Sequence, residues 1–493
     1  MKNAIMTTVL TCLLTVGLTQ PAILSPIQGI EVQQGKAFET SFIFAALLLV
    51  PPAALQAAAV ADLRCESLPD PLGIDVARPR LSWVIESDRR GERQTAYQVL
   101  VASTPELLAQ DQGDLWDSKK VASDQSIQLE YAGKPLESGR LCYWKVRIWD
   151  QDGKATGWSK PAAWSMGLLD PEDWKAKWIT YPDPKGLSHP WLRRTFEVKD
   201  GVERAVMHIN TGSYYELHIN GKKVSPYVLT PGISKTDKRF HINVYDVASY
   251  LVKGRNCIAI WMGPGWHQGR MGNNYHAPII RAQLNMDSPS GHAVVGTDSR
   301  WRVKESCITQ IGGWQWNDFG GEHFDAREFV PDWDQVDMND SQWLTAREIP
   351  PPHVLSSWQA CESARLGTPI LPTKIFPLKN GKWVIDFGRP LTGWMRLRMK
   401  DLKPGQDVKI IYADLNDNEH AGKLAFMANP DGFQDFNQND VFISAGNGTE
   451  IFCSRFNYHS FRYAVISGLN RKPDMNDAEA MMIEPELGSA GSF

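Results

Sequence analysis

The sequence predicts an all-β chain made of tandem β-sandwich and jelly-roll domains. Short runs of alternating or β-branched and aromatic residues recur between Gly, Pro, Asn and Asp turn formers. Beyond the N-terminal leader, no run keeps the period of a long amphipathic helix. A chain of 493 residues is also long enough for about three domains of the usual size.

Residues 1–61 are interpreted as a leader that is removed on export. The stretch "SFIFAALLLVPPAALQAAAVA" is compact and apolar, and it ends in an Ala-Val-Ala cleavage signal at 59–61. We therefore expect the working signal peptide at 36–61 and a mature periplasmic or extracellular chain. Because Pro51 and Pro52 interrupt the apolar run, we expect no integral membrane span.

Residues 62–170 predict a β-sandwich of fibronectin type III or immunoglobulin kind. In "YWKVRIW", Trp144, Val146 and Ile148 alternate with polar or amphipathic residues, which indicates a half-buried strand. One short helix is expected in "STPELLAQ", where Thr104 is suited to the N-cap.

Two further β domains are expected at 171–350 and 351–485. In "YYELHINGKKV", Asn220-Gly221 predicts a hairpin, since a type I′ turn needs two residues that tolerate positive φ. The first of these domains is expected to be a jelly roll and a candidate carbohydrate-binding domain. The second is expected to be another β-sandwich, with 486–493 beginning a junction to whatever follows.

Composition limits the classes of molecule that the chain is expected to bind. With 52 basic and 56 acidic residues the net charge is −4, which gives no electrostatic footprint for nucleic acid. Nineteen Trp and 13 Tyr suit both sandwich cores and sugar faces. The seven Cys show no metal-binding or disulfide spacing, so buried free thiols are expected.

The loop "GPGWHQGRMGNNYH" is the first candidate binding site. Its glycines let the backbone bend while aromatic and amide side chains are presented to a ligand. A carbohydrate platform and an ordinary packed loop both remain open. The candidate contacts are Trp266, His267, Asn273, Asn274 and Tyr275.

The run "GGEHFDARE" supplies the second candidate set, Glu322, Asp325 and Arg327. At strand spacing Asp325 and Arg327 share a face, which favours a structural ion pair. The alternative is a clamp on sugar hydroxyls. Neither this run nor any other matches a nucleophilic triad or a zinc site.

Ordered words along the chain resemble bacterial α-L-rhamnosidases. They include "LRCESLPDPLGIDVARPRLSWVIESDRRGERQTAYQVLVAS", "WSMGLLDPEDWKAKWI", "YYELHINGKKV", "GEHFDARE", "VIDFGRPLTGWMRLRM" and "FNYHSFRYAVISG". The resemblance runs from about Asp62 to Phe493. It implies an exported, inverting glycoside hydrolase that releases terminal L-rhamnose from glycosides or polysaccharides.

The resemblance also implies that the catalytic pair lies in an (α/α)₆ barrel after the β domains. No residue of this sequence matches that motif, so no catalytic residue is assigned and the chain is expected to be inactive alone. A separately encoded barrel is a candidate partner, and a rhamnose-containing glycan is the expected ligand.

The resemblance further implies that in some family members the second domain is similar to a calcium-assisted rhamnose-binding module. No cofactor is expected to be required, and calcium is the one candidate; Ser225-Pro226 stands where relatives often have Gly-Asp, which removes a carboxylate. Two other classes remain open. The chain would be either a carbohydrate-binding protein that works without a barrel, with Trp266 as its main contact, or a structural brace.

Overall fold

The computed structural model describes residues 58–183, 188–265, 277–313, 319–416, 431–433 and 436–487. Within these ranges almost all regular structure is strand, which confirms the predicted fold class. The described residues contain one α-helix, α1 (Pro105–Ala109), and the Thr104 hydroxyl accepts from the Leu107 amide as an N-cap. Short 3₁₀ turns lie at Pro171–Asp173, Ala248–Tyr250, Ala326–Glu328, Lys379–Gly381 and Met475–Asp477.

The first region is a sandwich of two small sheets. Its strands are β1 (Ala59–Cys65), β2 (Arg80–Glu86), β3 (Ala96–Ala102), β4 (Trp116–Asp117), β5 (Leu129–Glu130), β6 (Leu141–Trp149) and β7 (Ala162–Ser165). They are ordered β1-β2-β5 and β4-β3-β6-β7. Trp144, Val146 and Ile148 of β6 are buried in the core between the sheets, as their alternation predicts.

The first strand includes the predicted cleavage site. Ala59, Val60 and Ala61 pair with residues 84–86 of β2. A mature chain that began at Asp62 would therefore lack these three paired residues of β1.

The second region supplies fourteen of the described strands. They are β8 (Trp178–Thr180), β9 (Ser188–Val198), β10 (Arg204–Thr211), β11 (Tyr214–Ile219), β12 (Lys222–Lys223), β13 (Tyr227–Val228), β14 (Arg239–Asp246), β15 (Gly254–Gly263), β16 (Ile279–Ser288), β17 (Gly291–Gly296), β18 (Arg302–Ile311), β19 (Gly321–Asp325), β20 (Leu344–Thr345) and β21 (Arg347–Ile349). Asn220 and Gly221 have φ of 51° and 77° between β11 and β12, so the predicted hairpin is present.

The third region follows with β22 (Leu355–Trp358), β23 (Ala364–Leu366), β24 (Lys374–Pro377), β25 (Trp383–Lys400), β26 (Asp407–Ala413), β27 (Asn439–Ile443), β28 (Thr449–Cys453), β29 (His459–Ser467) and β30 (Ala478–Pro485). Its core lies around the long strand β25, where Met395 and Leu397 are buried with Phe461 of β29.

Backbone pairing continues from the second region into the third. One sheet runs β21-β8-β16-β10-β14-β22, with β17 beside β16. The other runs β12-β11-β15-β9-β18-β19-β27-β26-β29-β25-β30-β23-β13, with β20, β24 and β28 attached at its sides. The second region packs its core between these sheets, with Ile209 and Ile280 on one side and Leu217 and Ile260 on the other. We call the parallel contact of β19 with β27, together with segment 454–459, the seam.

Candidate functional site

Most of the predicted binding loop lies outside the described residues: Trp266, His267, Asn273, Asn274 and Tyr275 are all in the undescribed range 266–276. The described residues before it show how its base is held. Gly263 ends β15 so close to the seam that a Cβ atom there would lie 2.3 Å from Cγ of Phe456. Only glycine allows this approach. The strand that carries the loop therefore rests on the seam.

Asp325 and Arg327 form the ion pair that the sequence favours. The Arg327 guanidinium donates from Nη2 to Oδ2 at 2.7 Å and from Nε to Oδ1 at 2.9 Å. The two residues do not share a strand face, because Asp325 ends β19 and Arg327 lies in the following 3₁₀ turn. The contact to Arg327 lowers the pKa of the Asp325 carboxyl. Both carboxylate oxygens thus already have a partner within the turn.

Glu322, the third predicted residue, lies in the seam and is fully buried. Its Oε1 accepts three consecutive backbone N–H groups, from Arg455 at 3.1 Å, Phe456 at 2.5 Å and Asn457 at 3.0 Å. We call this contact the Glu322 clasp. It joins a strand of the second region to a loop of the third. The carboxyl group accepts backbone N–H groups that would otherwise need the carbonyl groups of a neighbouring strand.

Asp440 of β27 lies directly beside the clasp. Its Oδ1 accepts the backbone N–H of Glu322 at 2.8 Å. Its Oδ2 accepts the hydroxyls of Tyr412 at 2.8 Å and Ser454 at 2.7 Å, and it lies 3.2 Å from Nε2 of His459. Burial opposes ionisation of Asp440, but His459 and these donors outweigh it and lower its pKa.

The environment has the opposite effect on Glu322. Burial, followed by the nearby charge of Asp440, raises the pKa of Glu322 to about 8. Two neighbouring buried carboxyl groups are thus pushed apart in acidity, with Asp440 ionised and Glu322 protonated at neutral pH. A protonated Glu322 still offers Oε1 to the three backbone donors.

A second charged group extends the seam towards the base of the loop. Arg455 forms an ion pair with Glu216 of β11, and its guanidinium lies 4.2 Å from the ring centroid of Trp261 of β15. Lys223 also contacts Glu216, with its Nζ 2.7 Å from Oε1. Burial opposes ionisation of Glu216, but these cations outweigh it and hold its pKa far below the usual range.

His218, two residues along β11, completes this group. Its Nδ1 lies 2.7 Å from Oδ2 of Asp334, and its ring lies 5.0 Å from that of Trp333. Burial lowers the pKa of His218, but its contacts with Asp334 and Glu216 outweigh burial and raise it overall. His218 thereby links β11 to the segment that follows the 3₁₀ turn at 326–328.

The seam is built to position backbone elements. Glycoside hydrolysis places an acid and a base or nucleophile on either side of the scissile bond. Glu322 and Asp440 are both 0 % exposed, so a glycosidic bond does not reach them. Their chemical capacity is to hold the second and third regions in one arrangement.

Sequence reasoning finds Glu322 but misses the ion pair of Arg455 with Glu216 beside it. Glu216 alternates with the core residues Tyr215 and Leu217, a pattern that indicates only a hairpin strand. Arg455 directly precedes "FNYHSFRYAVISG" without any motif of its own. The pairing joins residues 239 positions apart, which local spacing does not indicate.

Neither a metal centre nor a membrane-spanning helix is found in the part of the chain that the structure describes. There, no group of three or more His, Cys, Asp or Glu side chains is arranged to hold an ion. No helix within the same ranges has the length and apolar character to cross a bilayer. The six described cysteines are free thiols, as the sequence predicts, but only four of them are buried: Cys453 is partly buried and Cys361 is exposed.

Three family models match the chain in order. Residues 60–170 match the Rha78A-like N-terminal immunoglobulin domain. Residues 200–366 match the α-L-rhamnosidase N-terminal domain, and 377–484 match the bacterial α-L-rhamnosidase concanavalin-like domain. The first domain therefore corresponds to the immunoglobulin type of the two sandwich types that the sequence allows.

Curated relatives and solved structures show similarity to the same family. An α-L-rhamnosidase of Formosa agariphila is 30 % identical over 460 residues, which cover 86 % of this chain and 47 % of that protein. The α-L-rhamnosidase structure from Dictyoglumus thermophilum superposes with a TM-score of 0.78 at 30 % identity, covering 87 % of this chain and 49 % of that one. The Aspergillus terreus enzyme gives 0.73 at 25 % identity. The chain spans about half the length of the curated relatives it matches.

Proposed function

Because the chain belongs to the α-L-rhamnosidase family through the three N-terminal domains that it spans, we propose that it is the non-catalytic β portion of such an enzyme. Its role is to hold a carbohydrate loop and a catalytic domain in a fixed arrangement. The observation that carries this proposal is the burial of Glu322 and Asp440, whose carboxyl groups serve the seam instead of a substrate.

The reaction of the whole enzyme is part of the same proposal. The whole enzyme removes terminal L-rhamnose from glycosides or polysaccharides with inversion of configuration, and the two carboxyl groups that it uses lie outside these three domains. The half-length match to α-L-rhamnosidases supports this division of labour. The leader at 36–61 supports export to the periplasm or beyond.

The test is hydrolysis of p-nitrophenyl α-L-rhamnopyranoside by the purified chain. We expect no release of p-nitrophenol above a heat-denatured control. Saturable release by the native chain would show that it carries its own catalytic residues, and the division proposed here would be wrong.

Binding of L-rhamnose to the same preparation separates the two non-catalytic roles. Titration calorimetry with the chain and with Trp266→Ala measures the contribution of the loop. Affinity that depends on Trp266 would make the chain a sugar-binding module as well as a support. No affinity in either protein would leave the structural role alone.

A further inference from the structure

A partly buried arginine without an acidic partner lies on the outer face of the seven-stranded sheet. Arg281 of β16 has its guanidinium between two indoles, with ring centroids 4.0 Å away for Trp174 and 5.2 Å away for Trp178. Its Nε is buried without a hydrogen-bond partner. Among the described residues no carboxylate forms an ion pair with it. Two indole faces offset part of the cost of withdrawing this cation from water, but no counter-ion offsets the rest.

The neighbours of Arg281 leave further polar atoms unsatisfied. Asn210 of β10 lies directly opposite Arg281 in the antiparallel ladder, so their side chains share a face. Asn210 is 0 % exposed, and its Oδ1 has no partner. His208, two residues earlier on the same face, is 2 % exposed, and its Nε2 has no partner. The Trp174 ring contacts both residues: the Arg281 guanidinium lies over its face, and the His208 ring meets it edge-on with centroids 6.2 Å apart.

The hydrogen bonds around these groups allow all three of them to act as donors, with Asn210 doing so once its amide is turned over. The Asn285 amide can donate to Nδ1 of His208 at 3.5 Å, which leaves the imidazole proton on Nε2. The side chain of Asn210 contacts the Ser356 hydroxyl at 2.6 Å. Because a hydroxyl can donate as well as accept, turning the Asn210 amide over satisfies its oxygen and frees its NH₂ group.

We propose that Arg281, Asn210 and His208 form a binding site for a small oxyanion, either a free ion or the acidic substituent of a larger ligand. Arginine binds planar and tetrahedral oxyanions through paired N–H donors, and Asn210 and His208 add one donor each. Burial alone lowers the pKa of Arg281 to about 10, which agrees with the lack of a nearby carboxylate and leaves the group charged at neutral pH.

The site has a route to solvent. Arg281 and Trp174 are each partly exposed, whereas Asn210 and His208 are buried. An anion from solvent would therefore meet the guanidinium first. This site lies on the sheet β21-β8-β16-β10-β14-β22 and shares no residue with the seam or with the loop at 266–276.

The test measures thermal stability and calorimetric binding of the purified chain with inorganic phosphate or sulfate against chloride at equal ionic strength. We expect saturable binding of the oxyanion and a rise in melting temperature. In Arg281→Gln the affinity should fall about tenfold or more, which is the usual contribution of a charge-assisted contact. Arg255→Gln is the matched control, because Arg255 is an exposed arginine of β15 that lies near Asp337.

Asn210→Asp keeps the proposal testable if loss of Arg281 prevents folding. It places a carboxylate opposite the guanidinium, so we expect a higher melting temperature without added anion and loss of the anion response. Phosphate and sulfate also stabilise proteins by exclusion from the surface. An equal anion response in all four proteins would therefore show that general effect alone and would overturn the proposal. Absence of saturable binding to the unmodified chain would overturn it as well.

An acidic sugar separates the two sources of the anion. Glucuronate that binds through Arg281 more tightly than acetate or phosphate would indicate a substituent on a glycan. Tighter binding of inorganic phosphate would indicate a free ion. Either result is independent of whether the chain hydrolyses rhamnosides.

Discussion

Glu322→Ala removes the acceptor of the clasp and leaves three backbone N–H groups in the seam without a partner. Each unsatisfied buried donor costs about 1 to 3 kcal/mol. Even if water enters the space left by the side chain, we expect a loss of about 4 kcal/mol in the free energy of unfolding at about pH 4, where the stabilising effect of the protonated Glu322 is fully present. This is a large part of the stability of an ordinary domain.

Two matched variants separate the clasp from a general effect. Glu322→Gln keeps an oxygen for the backbone donors and imitates the protonated acid, so at about pH 4 we expect it to match the unmodified chain within about 1 kcal/mol. At pH 7 it should be the more stable of the two by about 3 kcal/mol, because folding then requires the unmodified Glu322 to take up a proton. Glu328→Gln changes an exposed glutamate of the adjoining turn and should be neutral. Urea unfolding followed by circular dichroism and tryptophan fluorescence measures all three, with coincidence of the probes as a check on two-state behaviour.

The pH dependence tests the raised pKa. Since the pKa of Glu322 rises from 4.5 to about 8 on folding, its stabilising effect is complete below about 4.5 and is lost as pH rises through about 8. Stability of the unmodified chain should therefore fall relative to Glu322→Gln between pH 5 and pH 9, by at most about 5 kcal/mol. The clasp would be refuted by a Glu322→Ala protein as stable as the unmodified chain, together with a constant stability difference between the unmodified chain and Glu322→Gln from pH 5 to pH 9.

Three further predictions use the same unfolding assay. Gly321→Ala should lower the free energy of unfolding by more than about 3 kcal/mol, because its Cβ would lie 1.8 Å from a backbone oxygen of β27. Gly157→Ala is the control and should be neutral, because a Cβ there meets open space. Equal stability of the two variants would contradict the close approach at Gly321. Arg455→Met should lower the free energy of unfolding by about 3 kcal/mol, because it leaves Glu216 buried without its main cation. Adding Glu216→Gln should recover part of that loss. If the effects of the two substitutions simply add in the double variant, the pair is not coupled. Thr104→Ala should cost about 1 kcal/mol by removing the N-cap, and no change in the unfolding midpoint would contradict that role.

Local features were predictable because the residues that define them are adjacent in sequence. Asn220-Gly221 specifies its hairpin, and Thr104 with Pro105 specifies the start of α1. The alternation around Trp144 similarly identifies which face of β6 enters the core. Such signals require no knowledge of distant parts of the chain.

The seam was not predictable from these signals. Glu322 is 118 residues from Asp440 and 133 residues from Arg455, so their association depends on how two sheets meet. Strand spacing also suggested a shared face for Asp325 and Arg327, whereas the chain turns after Asp325 and pairs them within the turn. Arg281 gave no signal at all, because its unusual feature is the lack of a partner in space.

The central claim is that these three β domains are the non-catalytic portion of a longer α-L-rhamnosidase. Sequencing the DNA that follows the codon for Phe493 tests it most directly. The account predicts an open frame, directly or after a single frameshift, that encodes a helical barrel with an acidic pair and brings the product to about the length of its relatives. A stop codon followed by unrelated sequence would contradict it, and the three β domains would then be a protein with a function of their own.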